Sequence, residues 1–128
     1  MIYQYLARFQ ATIDSRQEIQ VDRFDARQLS ALDGRIAGRL RFYDGSVLEF
    51  REVFRVHNRG IRKIVYAYHY QRTDGRCVFR YDNAPHFPDL PGFPEHKHEG
   101  DQVIPAPAPD LSKVLREIDG YLYPSGRA

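Results

Sequence analysis

The sequence contains a single cysteine, no tryptophan and no apolar run long enough to cross a bilayer. One cysteine, Cys77, cannot form an intramolecular disulfide and excludes zinc sites that need several thiolates. GxxxxGK, HExxH and CxxC motifs are absent as well, which removes the common signatures of phosphate loops, zinc proteases and redox thiols. The first residues lack the basic-then-apolar order of a signal peptide, so the expected location is the cytoplasm, with no membrane partner.

A length of 128 residues with 42% hydrophobic and 13% aromatic residues is typical of one globular domain, residues 1–128. The net charge of +2 conceals an uneven distribution. Residues 35–81 carry 11 basic and 4 acidic side chains (+7), and the remainder carries 8 and 13 (−5). A basic centre could attract phosphate backbones, or its arginines could simply solvate the outer faces of strands.

Strict alternation of apolar and polar residues over 3–13 predicts an N-terminal strand. Leu6 interrupts the alternation, and a stripe of Ile2, Leu6, Phe9 and Ile13 would also fit a helix. A second short strand is predicted around Ile19 and Val21, followed by a loop or a single helical turn over 25–33.

The strand pattern becomes clear from Arg35 onward, with Asp44-Gly45 as a hairpin turn. Apolar residues share even numbers on both sides of this turn, which predicts an odd-length loop with Gly45 in the left-handed conformation. One face of the hairpin is then apolar and the other rich in arginine. The even set is Ile36, Leu40, Phe42, Leu48, Phe50 and Phe54, and the odd set is Arg35, Arg39, Arg41, Glu49, Arg51 and Arg55.

A second hairpin is predicted from Ile61 to about Asp82, with a two-residue turn at Asp74-Gly75 that places Thr73 opposite Arg76. In that register Cys77 lies among the buried aromatic residues, where a thiol is usually inert. The predicted cross-strand pairs are Tyr70 with Phe79, Tyr68 with Tyr81, His69 with Arg80, and Ala67 with Asp82.

Regular structure is predicted to stop after Asn83, where prolines recur every third residue up to Pro94. Residues 101–109 read as a proline-rich connector, and residues 110–122 as a C-terminal helix capped by Asp110. The predicted fold class is α+β and mainly β, a single twisted antiparallel sheet of about six strands with a C-terminal helix.

The residues suited to chemistry lie within thirty positions of one another. Metal-independent RNA cleavage needs a base for the 2′-hydroxyl, an acid for the leaving oxygen and a cation for the phosphorane. Arg80 and Lys97 are predicted to bind phosphate, and His69, His96 and His98 to transfer protons, although no spacing separates acid from base. The set is His69, Arg80, Asp82, Asn83, His86, His96, Lys97 and His98.

Other interpretations of these residues remain open. His96-x-His98 could supply two metal ligands, with His86 or Asp82 as a third, which would make the protein a small metal-dependent hydrolase. Asp82-Asn83 could be turn chemistry alone. The arginine-rich face of 35–55 could serve a binding module without catalytic activity, for RNA or protein.

Several segments together resemble the TumE-like toxins of prokaryotic toxin–antitoxin loci, over residues 36–100. They are a hairpin with Tyr68-His69-Tyr70-Gln71 and Asp74-Gly75, then Phe79-Arg80-Tyr81-Asp82-Asn83-Ala84-Pro85-His86, then Phe93-Pro94-Glu95-His96-Lys97-His98. The resemblance implies a growth-inhibiting toxin with predicted ribonuclease activity, neutralised by an antitoxin that commonly carries a helix-turn-helix. Glu95 departs from the pattern, because another histidine is expected there.

The motif carries over to Arg80, Asp82, Asn83, His96 and His98. The predicted partners are RNA and the antitoxin, a homodimer is left open, and no cofactor or metal is predicted. The predicted catalytic residues are His69, Arg80, Asp82, Asn83, His96 and His98, and the predicted substrate-binding residues are Lys97, His86, Tyr81 and Arg41.

Overall fold

A computed structural model describes residues 1–124 as one antiparallel meander with a helix at each end of the chain. The strands lie in the sheet in chain order, β1 to β7, so the predicted mainly β, α+β class is confirmed, with seven strands instead of about six. The elements are α1 (Ile2–Asp14), β1 (Gln20–Gln28), β2 (Asp33–Arg41), β3 (Val47–His57), β4 (Gly60–Gln71), β5 (Cys77–Asp82), β6 (His96–Glu99), β7 (Gln102–Pro105) and α2 (Leu111–Leu122).

Both helices add buried side chains to the apolar face of the sheet, which we term the core face. The even-numbered apolar residues of β2 and β3 lie there as predicted, together with the aromatic residues of β4 and β5. Gly34 and Gly38 make room for this packing, because a Cβ atom at Gly34 would lie 2.4 Å from the ring of Phe54 and one at Gly38 2.5 Å from that of Phe50.

Helix α2 matches its prediction closely. The Asp110 side chain accepts a hydrogen bond from the backbone N–H of Lys113 at 2.8 Å and caps the first turn. One stripe of the helix is buried against the sheet: Leu111, Val114, Leu115, Ile118 and Leu122. Among the described residues, neither helix is both long and apolar enough to cross a membrane.

The N-terminal segment is a helix, so the strand predicted over 3–13 is wrong and the helical stripe was the correct alternative. Ile2, Phe9 and Ile13 are buried, whereas Tyr3 of the alternating set is exposed. The period-two pattern was coincidental, because the tertiary contacts select the face whose residues repeat at helical spacing.

The short strand predicted around Ile19 and Val21 is β1, which is longer than predicted. It continues through residues 25–28, where a loop or a helical turn was expected. Within residues 1–124, β1 is an edge strand that pairs with β2 alone. Its residues Phe24 and Ala26 are partly buried and pack against the core. An edge strand whose two faces are mostly exposed has a weak apolar pattern, so its full length could not be predicted from the sequence.

The two central turns have the same loop length, although different lengths were predicted for them. The first has an odd-length loop with Gly45 at φ 84°, as predicted. The second turn is also three residues long, with the N–H of Arg72 bonded to the carbonyl of Arg76, so the pairing of Thr73 with Arg76 is wrong. A bulge at Val78 restores the predicted pairs from Phe79 onward, and it leaves Cys77 opposite Gln71 and exposed rather than buried.

The end of the proline-spaced segment returns to the sheet. His96–Glu99 and Gln102–Pro105 form the hairpin β6–β7, with Gly100 at φ 60° in its turn. Part of the predicted connector over 101–109 is therefore a strand. β6 pairs with β5, and this pairing positions the candidate site.

Candidate functional site

The face of the sheet opposite the core, which we term the open face, carries the polar residues of the strands. Strand register aligns five of them in one row across five neighbouring strands, because directly paired residues point to the same side. The row is Arg39 (β2), Glu49 (β3), His69 (β4), Arg80 (β5) and His98 (β6).

The adjacent row places Asp82 of β5 directly opposite His96 of β6. With His98 these residues form a cluster in which both imidazole Nε2 atoms lie close to the Asp82 carboxylate. His96 Nε2 lies 3.0 Å from Asp82 Oδ1 and 3.1 Å from His98 Nε2, and His98 Nε2 lies 3.5 Å from Asp82 Oδ2. We call this the Asp82–His96–His98 cluster. Two members of the cluster, Asp82 and His96, are almost completely buried.

The protonation of this cluster is constrained by its neighbours. His96 Nδ1 lies 2.8 Å from the carbonyl of Pro94, which can only accept, so Nδ1 carries a hydrogen. The Nε2 of a neutral His96 is then an acceptor that faces the Asp82 carboxylate, another acceptor. His98 can bring at most one hydrogen from its own Nε2. With His96 neutral, two acceptors would thus face each other at 3.0 Å, and a proton or a metal ion bound between them removes that repulsion.

Asp82 is held as a carboxylate. Burial alone would raise its pKa, but the N–H of Ala84, the guanidinium of Arg80 and the imidazole of His96 together lower the pKa below its usual range. Arg80 Nε donates to Asp82 Oδ2 at 2.9 Å, and Ala84 N donates to Oδ1 at 2.9 Å. These bonds fix the carboxylate so that Oδ1 points at His96.

His69 lies on the other side of Arg80 from His98, as the predicted pairing required. Burial and the nearby Arg80 charge lower the pKa of His69, so its imidazole is neutral at neutral pH. The pKa of His98 is also lowered, by burial above all. A neutral imidazole with a free lone pair is suited to accept a proton.

The proline-spaced loop covers one side of the cluster with an aromatic ring. The Phe87 ring centroid lies 5.0 Å from that of His96 and 5.7 Å from that of His98, both edge to face. Phe87 was not singled out from the sequence, and no local signal marks it, because only the path of the loop brings it there.

Asn83 does not join the cluster. Its amide Nδ2 donates to the carbonyl of Ile64, and its Oδ1 accepts from the N–H of Tyr66. The side chain thus continues the β4–β5 pairing where the strand ends, which is a structural task and does not support the predicted catalytic role.

Lys97 and Tyr81 lie on the core face, because alternation along β6 and β5 sends them away from their neighbours. Lys97 Nζ bonds Glu117 at 2.6 Å and Glu99 at 2.7 Å, and Tyr81 donates to Glu117 at 2.6 Å. The predicted phosphate-binding role of Lys97 and substrate-binding role of Tyr81 are therefore corrected: neither side chain faces the cluster.

The remaining predicted positions lie at or beyond the margin of the site. His86 is exposed in the loop beside Phe87, Arg41 pairs with Asp22 at 2.8 Å toward the far end of β2, and Glu95 accepts from Tyr66 at 2.6 Å. Tyr66, Tyr68 and Tyr70 are buried in the core and do not face the cluster.

A groove of about 300 Å³ runs across the open face from His69 and Arg80 toward β1. The small side chains of Ala37 and Ala67, which pair with Arg51 from the two neighbouring strands, also line the groove. Arg23, Arg35 and Arg51 line it, and within residues 1–124 none of the three has an acidic partner at ion-pair distance. The arginine alternation already put Arg35 and Arg51 on this face, but only the register puts them beside His69.

Comparison with protein-family models matches residues 8–122 to the family described as toxin TumE. The match extends well beyond the 36–100 segment that carries the sequence resemblance, and it includes most of α1 and all of α2. Neither the curated proteins nor the solved structures include a significant match.

Proposed function

The chain belongs to the toxin TumE family and is the toxin component of a toxin–antitoxin system, and we propose that its activity is endonucleolytic cleavage of RNA. The observation that carries the proposal is the order of the row on the open face: a basic guanidinium, Arg80, with one imidazole on each side, His69 and His98. Adjacent strands are roughly 5 Å apart, so the two imidazoles flank a phosphate-sized space.

This order suits in-line cleavage of a phosphodiester. The 2′-oxygen attacks phosphorus and gives its proton to one side, while the bond from phosphorus to the 5′-oxygen breaks on the other side. His69, neutral by virtue of its lowered pKa, accepts the 2′-proton. Arg80 neutralises the growing charge on the phosphoryl oxygens, and the leaving 5′-oxygen takes a proton from the Asp82–His96–His98 cluster.

The groove supplies a binding surface for the flanking nucleotides. Arg23, Arg35 and Arg51 have no acidic partner among the described residues, so they lose no ion pair when phosphates approach. Their position on the β1 side of His69 extends the path of an RNA strand away from the cleavage point.

The test replaces His69 with alanine in the full chain, with His57→Ala as the matched control. His57 is an exposed histidine at the end of β3, and within residues 1–124 its only side-chain hydrogen-bond partner is Asn58. His69→Ala is expected to lose growth inhibition and to lower RNA cleavage about 10²–10⁴-fold. RNA affinity, measured by fluorescence anisotropy, should stay within a few-fold of the parent protein, since no phosphate contact is removed.

The same measurements separate catalysis from a binding module without catalytic activity. Full growth inhibition by His69→Ala, or inhibition by the parent protein with RNA binding and no cleaved products, would overturn the ribonuclease proposal. The second outcome would support the arginine groove as a binding surface alone.

Family membership implies a cognate antitoxin. The proposal extends to its type, a neighbouring-gene product with a DNA-binding helix-turn-helix. Co-expression of that product should restore growth in cells that produce this chain. Failure of rescue, or a neighbour without a helix-turn-helix, would contradict this part.

A further inference from the structure

We propose that the Asp82–His96–His98 cluster binds a divalent transition-metal ion, with Zn²⁺ as the reference ion. The sequence reading preferred chemistry without a metal, because an HxH pair by itself is common. The structure favours a metal site, because it places the buried Asp82 carboxylate beside both imidazoles. Ligand atoms of the three side chains lie within 4.8 Å of one another.

The distances between donor atoms match those of a coordination shell. Zn²⁺ binds histidine nitrogen and carboxylate oxygen at about 2.0–2.2 Å, so neighbouring ligand atoms are separated by roughly 3.0–3.5 Å in tetrahedral or octahedral geometry. The two imidazole nitrogens are 3.1 Å apart, and each lies 3.0 or 3.5 Å from one oxygen of the Asp82 carboxylate, Oδ1 for His96 and Oδ2 for His98. One ion can therefore reach all three side chains without moving them far.

The surroundings hold two of the three donors, His96 and Asp82, in the form that a metal requires. His96 Nδ1 donates to the carbonyl of Pro94, which leaves the Nε2 lone pair directed into the cluster. Asp82 is oriented by Arg80 and by the N–H of Ala84. These are the outer-shell partners that typically orient ligating histidines and carboxylates.

A proton would satisfy the cluster less completely than a metal ion. A single added hydrogen can bridge one pair of these atoms, whereas His96 Nε2 is simultaneously close to an oxygen of Asp82 and a nitrogen of His98. A metal ion bonds all three at once. Two imidazoles and one carboxylate favour Zn²⁺ and its first-row neighbours over Mg²⁺, which prefers oxygen ligands.

Three protein ligands leave at least one coordination position free for water or a phosphate oxygen. His98 is the least buried member of the cluster and lies beside Arg80, so that position is accessible from the side of the row. The role of the ion in RNA cleavage rests on the proposed function, but its binding does not.

The test is titration of the full, tag-free and chelator-treated chain with Zn²⁺ by calorimetry, with Co²⁺ absorption in the visible range as a second probe. One ion per chain is expected. His98→Ala should weaken Zn²⁺ binding about 100-fold or more, and Asp82→Asn should weaken it as well, whereas His57→Ala should bind like the parent protein. Circular dichroism and thermal melting establish whether each variant is folded.

NMR of the parent protein gives a readout that depends on no variant. Zn²⁺ should shift the imidazole nitrogens of His96 and His98 and leave those of His57 and His86 in place. Absence of stoichiometric binding, or shifts confined to His57 and His86, would overturn the inference. Undiminished binding by a folded His98→Ala would do the same.

RNA cleavage assayed with and without chelator separates this inference from the proposed function. Cleavage that persists in chelator, by a chain that binds no Zn²⁺ in the titration, would overturn the metal site and retain the ribonuclease. Zn²⁺ binding at His96 and His98 by a chain that cleaves no RNA would retain the metal site and overturn the ribonuclease.

Discussion

The two faces of one sheet handle charge in opposite ways. On the core face, the buried carboxylate of Glu52 has hydrogen-bond and ion-pair partners. Glu52 is 1% exposed, accepts from Tyr5 at 2.5 Å and from Tyr68, and pairs with Lys63 at 3.1 Å. On the open face, Arg23, Arg35 and Arg51 line a groove with no acidic partner at ion-pair distance among residues 1–124, and two acceptors, His96 Nε2 and Asp82 Oδ1, face each other at 3.0 Å.

This difference indicates where stability and where function reside. A buried charge with all its partners is costly to disturb, because removal of one member leaves the others desolvated and unpaired. The row on the open face is partly exposed, so its imidazoles and guanidinium groups can still bind a ligand. Substitutions on the core face should thus change folding, and those on the open face should change activity.

The largest effect is expected from Glu52→Ala on the core face. It leaves two tyrosine hydroxyls without their acceptor and removes the carboxylate that pairs with the Lys63 ammonium, which keeps its bond to the carbonyl of Pro109, so the free energy of unfolding should fall by about 3–5 kcal/mol. Glu49→Ala is the control on the same strand, where a half-exposed ion pair with Arg39 contributes at most about 1 kcal/mol. Urea denaturation measures both. Equal losses would break the comparison of the two faces.

Arg80→Ala should have the next largest effect, and on the open face this effect is on activity. Loss of the guanidinium beside the phosphate is expected to lower RNA cleavage about 10²–10³-fold, because the charge of the transition state is no longer neutralised. Arg76→Ala, which removes an exposed arginine from the same hairpin, is the control. Single-turnover cleavage rates decide, and unchanged rates in Arg80→Ala would remove Arg80 from the site.

Combined replacement of Arg23, Arg35 and Arg51 by alanine should weaken RNA binding without affecting folding. For single-stranded RNA, the slope of log K against log salt should decrease by about 2, as expected for three lost phosphate contacts. Stability should change by less than about 0.5 kcal/mol per substitution. A charge-matched control carries alanine at Arg8, Arg59 and Arg116, and an equal slope change there would show that net charge alone matters.

The smallest effect expected is an alkaline loss of stability that originates on the core face. Burial, and then the hydrogen bond to Glu117, raise the pKa of Tyr81 to about 12. A group whose folded pKa is raised contributes stability below its unfolded pKa of about 10 and loses it as pH rises toward 12. Tyr81→Phe should flatten this loss by about 1 kcal/mol, measured by denaturation between pH 9 and 12. An unchanged pH profile would contradict the assignment.

Patterns of short range were sufficient for much of this fold. The parity of Ile36 through Phe54 assigns residues to the two faces, Asp44-Gly45 marks its turn, and Asp110 begins α2. Each follows from neighbours within a few positions, because strand alternation and helix capping are local properties of the backbone. The pairing of His69 with Arg80 could be predicted for the same reason, since it follows from the parity of the flanking aromatic residues.

Where two local patterns competed, tertiary packing decided. The N-terminal segment fits a strand and a helix equally on paper, and the core accepts the helical face of Ile2, Phe9 and Ile13. The second turn shows the same limit at smaller scale, because the bulge at Val78 exposes Cys77 while leaving the pairs beyond it unchanged.

The sequence by itself determined which face of each central strand is apolar, where the turns lie and which residue types are available for chemistry. Only the tertiary structure decided which of them meet. Adding β6 beside β5 places His96 opposite Asp82 and His98 opposite Arg80, and strand alternation then sends Lys97 to the core face. Contacts between residues separated by a thirteen-residue loop depend on strand pairing, and no local periodicity encodes a partner at that distance.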